Sequence, residues 1–202
     1  MPKSNEKGRT KKRAGMVLHG AQAILAVIRD EFRDAKLTIE VVPASTWELN
    51  ARAVLRSTDW DRVRRAVYEK AGNRCEVCGG RGTRHAVDCH EVWHFDDKKR
   101  VQTLVRCCAL CPACHEVKHI GLAMKRGRGD EAKAHLARVN NWDMARCESY
   151  IHYIRELWAI RSSQKWTVDL SWLREQGLTI IQQATVPLRV DAMTHSSISP
   201  TE

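Results

Sequence analysis

The 202-residue chain has no apolar run approaching the roughly 18 residues that a bilayer-spanning helix needs, which argues against a membrane anchor. Its basic first residues are followed by no apolar stretch with a small-residue cleavage site, so secretion is not expected and a cytoplasmic setting is. A Walker phosphate loop and a dinucleotide fingerprint are both missing, which sets aside the chemistry those loops serve. No internal repeat or extended low-complexity block is present. What remains is a chain with 43% hydrophobic residues and seven tryptophans, enough for one real core and a small appended module.

Eight cysteines would suit a disulfide scaffold, but seven of them lie between Cys75 and Cys114, mostly in close pairs. Without a secretion signal, metal binding explains that clustering better. The formal net charge of +10 favours a polyanionic partner, because each lysine or arginine beside a phosphate releases condensed counterions. Charge alone does not separate nucleic acid from anionic lipid, a ribosome or another protein.

Two Cys-x-x-Cys pairs carry the strongest signal. They are Cys75-Glu76-Val77-Cys78 and Cys111-Pro112-Ala113-Cys114, the second followed at once by His115. Four thiolates at that spacing can close a tetrahedral shell around Zn2+. Such a closed shell leaves no open position, so this zinc would be structural, and any chemistry needs a second metal or nearby side chains. Cys111-Pro112-Ala113-Cys114-His115 also spells a covalent haem motif, but that reading leaves Cys75 and Cys78 unexplained. Cys107 and Cys108 are adjacent and suit buried packing better than ligation.

Along the chain, residues 1–15 carry six basic groups against one acidic and read as a flexible basic arm. Residues 16–70 form a mainly helical segment with a short strand at 37–42, stopped by Pro43. Ser57 or Thr58 is expected to cap a helix whose exposed face carries Arg62, Arg64 and Arg65. Residues 71–122 are the cysteine module, with a hairpin strand expected over 85–93 and a helix after Pro112. Residues 123–195 are again mainly helical, and 196–202 a loose tail. Met144, Cys147, Ile151, Ile154 and Trp158 trace an apolar stripe, which makes Cys147 a core residue. The tryptophans at 47, 60, 142, 158, 166 and 172 are expected in packed elements.

The insert between the cysteine pairs holds Asp88-Cys89-His90-Glu91, and His115 and His119 follow it. His115 and His119 stand four apart, on one helix face, while Asp88 and His90 share a face of a strand. A helix packed on that strand would gather carboxylate and imidazoles around a divalent ion. From about residue 74 to 118 the pattern resembles the HNH endonuclease family, in its phage and prophage branch with a four-cysteine zinc staple. The resemblance implies an α+β fold with a zinc-stapled ββα-metal module between mainly helical flanks. It also implies hydrolysis of phosphodiester bonds in DNA, in a bacterial or phage-infected cell, with duplex DNA as partner. Carried over, His90 is the general base, with Asp88 and His115 as ligands of the catalytic metal. His119 is a further ligand, a phosphate contact or a supporting group.

Chemistry supports those roles independently, since imidazole titrates near neutrality and can take a proton from water. Mg2+ or Mn2+ suits an oxygen-rich cleft, while histidine ligation admits manganese, nickel or zinc. Lys118, Arg126 and Arg128 are the expected nucleic-acid contacts. The chain departs from the family pattern at two places. Cys89, not aspartate, precedes His90, and the middle asparagine is replaced by Arg106 or a displaced Gln102. His85 is expected on the surface, Glu91 facing away from His90, and Trp93 and His94 shaping the hairpin. The competing function is a noncatalytic zinc module that binds nucleic acid or an assembly partner.

Overall fold

A computed structural model describes residues 6–181 together with 188 and 189. The expected tail at 196–202, and residues 1–5 of the expected arm, lie outside the described residues. The architecture is α+β, in the order α1 (Glu6–Glu31), α2 (Ala51–Val54), α3 (Ser57–Lys70), β1 (Asp88–Asp96), β2 (Val101–Leu110), α4 (Pro112–Lys118) and α5 (Ile120–Lys125). It continues through α6 (Gly129–Asn140), α7 (Met144–Ser162), β3 (Thr167–Asp169), α8 (Ser171–Glu175) and the two-residue β4 (Leu188–Arg189). No helix among the described residues is long and apolar enough to cross a membrane.

The centre of the molecule is the β1–β2 hairpin. It pairs antiparallel from Asp88 opposite Leu110 to Asp96 opposite Val101, with a register shift between Val92 and Trp93. β3 adds parallel to β2, and β4 parallel to β3. Because side chains alternate across a strand, the hairpin serves two cores. Cys108 and Leu110 face a core built with α1, α4, α6 and α7, whereas Cys89, Leu104 and Cys107 face one built with α2, α3, β3 and α8. Cys107, Cys108 and Cys147 are all buried, as small apolar side chains would be.

Several local expectations change. α1 begins at Glu6, so its helical backbone runs through ten residues of the stretch read as a flexible arm. Residues 37–42 do alternate, with Leu37, Ile39 and Val41 buried, but they form no strand. Their backbone groups pair with side chains and with the Lys118 carbonyl instead of a ladder. Asn140 Oδ1 accepts from the Lys36 and Leu37 N–H groups, Asn140 Nδ2 donates to Leu37 O, and the Tyr150 hydroxyl oxygen accepts from Ile39 N–H.

α3 already includes Ser57 and Thr58, with Arg56 at the N-cap and no side-chain cap. The first strand of the hairpin begins at Asp88, because the loop before it is folded against the second cysteine pair. There a side chain on Gly82 would collide with the His85 carbonyl and the Pro112 ring.

α7 is capped by Asp143, whose carboxylate accepts from Arg146 N–H at 2.7 Å. Cys147, Tyr150, Ile151, Ile154 and Leu157 are buried on its inner face. Met144 and Trp158, expected on that stripe, are exposed. Trp47 is exposed as well, while Trp142 and Trp166 are buried. Near the C-terminal end of α7, buried Arg161 makes two hydrogen bonds to Asp97 at 2.9 and 2.8 Å. It also lies 4.3 Å over the Phe95 ring, which fastens the helix to the hairpin turn.

Candidate metal centres

Cys75, Cys78, Cys111 and Cys114 converge, with their sulfurs all within 4.8 Å of one another. Cys78 Sγ and Cys111 Sγ are 3.6 Å apart. A tetrahedron with zinc–sulfur bonds of about 2.3 Å has edges of about 3.8 Å, so the donor set has the size zinc requires. The first pair sits on a tight turn that Gly79 closes at a φ of 72°. The Cys78 N–H points at Cys75 Sγ, 3.5 Å away. The second pair brackets the first turn of α4, with Cys111 at the N-cap and Pro112 at N1.

The thiols share their protons unequally. A hydrogen bond from Cys114, aided by the N–H groups of Cys78, Cys111 and Val77 and opposed by burial, brings Cys75 down to about 4. Burial pushes Cys111 up to about 11. The bond to Cys75, then burial, raises Cys114. Binding a divalent cation would require all four sulfurs as thiolates.

Sequence reasoning missed a fifth member of this cluster. His135, on α6, brings Nε2 to 3.1 Å from Cys114 Sγ, and Arg138 Nη2 lies 2.6 Å from its Nδ1. Arginine only donates, so Nδ1 accepts and Nε2 carries the hydrogen that points at the sulfur. Burial first, then the Arg138 charge, holds His135 below the ordinary imidazole range. The i, i+3 spacing of His135 and Arg138 was the available signal.

A second group forms around His90, His115 and His119, whose nitrogens also lie within 4.8 Å of one another. Their ring centroids are 5.3, 5.2 and 5.0 Å apart in edge-on arrangements. His90 projects from β1, His115 from α4 and His119 from the α4 C-cap. These three imidazoles are geometrically compatible with one metal ion. His90 is 1% exposed, and its Nδ1 has no hydrogen-bond partner among the described residues, so a buried polar atom stands ready for a ligand. Burial first, then the charges of His115, His90 and Lys118, brings His119 down to about 3, which leaves it neutral with a lone pair to offer.

Asp88 stands behind this group and outside it. Its Oδ2 lies 3.2 Å from His115 Nδ1, and its Oδ1 lies 2.9 Å from Nε2 of the exposed His85. The His115 contact, more than the His115 and His85 charges, holds its carboxyl below the usual range against burial. Glu40, also missed in the sequence, approaches from the extended segment, its Oε2 3.4 Å from His90 Nε2. Lys118 is turned toward Glu40, at 3.8 Å, and donates to Thr38 Oγ1 at 2.9 Å.

Gln102 is buried, its Oε1 accepting from the Thr46 hydroxyl, and Arg106 pairs with Glu76; neither takes part in the histidine group. Glu91 does face away, accepting from the Ala51 N–H at the start of α2. Arg62, Arg64 and Arg65 pair with Asp59 and Asp61 on their own helix.

Two open clefts meet at His115, His119 and Leu122. One, of about 540 Å³, carries Arg81, Arg84, Arg126 and Arg128. The other, of about 640 Å³, carries His90, Glu40, Trp47 and Trp60. Arg128 makes a double hydrogen bond with Glu116, at 2.6 and 3.0 Å. Comparison with protein-family models, with curated proteins and with solved structures finds no match to this chain.

Proposed function

We propose that the protein is a metal-dependent endonuclease that hydrolyses phosphodiester bonds in DNA, with the histidine cleft as its active site. The observation that carries this reading is the convergence of His90, His115 and His119 beside a groove lined with arginines. The hairpin followed by α4, stapled by four cysteines, also fits the ββα-metal arrangement of the HNH family.

His90 is reassigned within this reading. A general base exchanges protons with water, and an imidazole 1% exposed is poorly placed for that. It serves better as a third ligand with His115 and His119. Asp88 is reassigned to hold His115 through Nδ1, leaving Nε2 free, as carboxylates commonly do behind metal-bound histidines. Three nitrogen donors suit zinc or nickel better than magnesium. An ion bound there supplies Lewis-acid polarisation of a phosphoryl oxygen. The arginines at 84 and 126 hold the strand's phosphates, while Lys118, tied to Glu40 and Thr38, supports the site from behind.

The test is cleavage of supercoiled plasmid with added manganese, zinc, nickel or magnesium. His119→Ala is expected to stay folded and keep its cysteine-bound zinc while losing cleavage by about 100-fold or more. Wild-type activity in that variant would refute the assignment. DNA binding without cleavage under every metal would favour the noncatalytic zinc module.

A further inference from the structure

Glu40 belongs to none of the elements that carry the three histidines. It lies 50 residues before His90, in the extended segment between α1 and α2, yet its carboxylate reaches the buried imidazole. We infer that Glu40 is a positioning residue that fixes the tautomer of His90 and so presents Nδ1 as its working nitrogen. The N-terminal segment is then a structural part of the site, and residues 71–122 do not complete it alone.

The hydrogen-bond inventory leads to this assignment. An ionised carboxylate only accepts, so the contact between Glu40 Oε2 and His90 Nε2 requires the hydrogen on Nε2. Nδ1 is buried and has no partner among the described residues. If Nδ1 also carried a hydrogen, a buried donor would be left without an acceptor, and no cation could relieve it. With Nδ1 unprotonated, the orphan is a lone pair, which an ion held with His115 and His119 satisfies. The same logic operates at His115, where Asp88 takes the Nδ1 side. Two imidazoles on different elements are thus each in contact with a carboxylate through one ring nitrogen.

Glu40 is held firmly enough to act this way. Its own N–H donates to Lys118 O at 3.1 Å, which latches the segment to the end of α4. On either side, Ile39 and Val41 are buried, and Tyr150 and Asn140 bind the neighbouring backbone. Lys118 Nζ lies 3.8 Å from the same Oε2. A side chain fixed at backbone and tip can orient its partner without rearranging when a ligand arrives.

Only the consequence for ion binding rests on the proposed function; the tautomer can be read without it. Long-range proton–nitrogen NMR of the zinc-loaded full chain should show His90 protonated at Nε2 and not at Nδ1. Glu40→Ala should lose that preference and weaken Zn2+ binding at the second site by about 10–100-fold, with the cysteine-bound ion retained. Glu40→Gln keeps a carbonyl acceptor and should restore the tautomer and most of the affinity. A proton on Nδ1 in the wild type would overturn the inference, whether or not the variants fold. So would wild-type second-site affinity in a folded Glu40→Ala. If the wild type binds no second ion but shows the stated tautomer, the proposed catalytic ion fails and the positioning role stands.

Discussion

The imidazole of His135 reaches Cys114 Sγ from 21 residues downstream, and its Nε2 hydrogen is directed there because Arg138 occupies Nδ1. Hydrogen bonds of this kind draw charge from a thiolate and hold it in place, and losing one typically costs a metal site about 10–100-fold in affinity. His135→Ala is therefore expected to raise the zinc dissociation constant of the four-cysteine site by about that factor. Competition with a colorimetric chelator measures it, and a dissociation constant equal to wild type would show that the contact is only packing.

Single residues also mark where the sequence was and was not legible. The four cysteines announce themselves because two short spacings can be read without any fold. Glu40 and His135 could not be read that way, since nothing local links either one to a ligand. Asp88 was visible as chemistry, but whether a carboxylate stands beside an ion or behind a histidine depends on distances a sequence does not contain.

Among the elements, periodicity was a good guide to burial and a poorer guide to pairing. The alternation of Leu37, Ile39 and Val41 points inward as a strand's would, yet Asn140 and Tyr150 take the backbone groups that a neighbouring strand would have used. The stripe on α7 was legible at Cys147, Ile151 and Ile154, and failed at Met144 and Trp158, which are exposed.

What the stripe did not disclose is the polar residue on the same face. Arg161 is 5% exposed, and its ion pair with Asp97 crosses 64 residues to join α7 to the β1–β2 turn. Removing one partner of a buried pair leaves the other charge without compensation, a loss of about 3–5 kcal/mol. Arg161→Ala is expected to destabilise the fold by that amount in urea unfolding. Arg161→Ala combined with Asp97→Ala should cost less than the sum of the single changes. Strict additivity of the two would mean that the pair is not coupled.

Over the whole molecule, the excess of positive charge is unevenly committed. On α3 the arginines are answered by Asp59 and Asp61, and Arg128 is answered by Glu116. Arg84 and Arg126, both exposed, line the cleft beside His115 and His119 and make no such ion pair among the described residues. A strand laid along that cleft would bring phosphates first to these two side chains. Each phosphate neutralised on duplex DNA contributes about 0.9 to the slope of log affinity against log salt. Arg84→Ala and Arg126→Ala should therefore each flatten that slope by nearly one and weaken binding alike across sequences. Arg128→Ala should change it little, because its charge is already spent on Glu116. Fluorescence anisotropy across a salt series separates these outcomes. Equal slopes for wild type and both single variants would place the DNA elsewhere on the surface, away from the histidines.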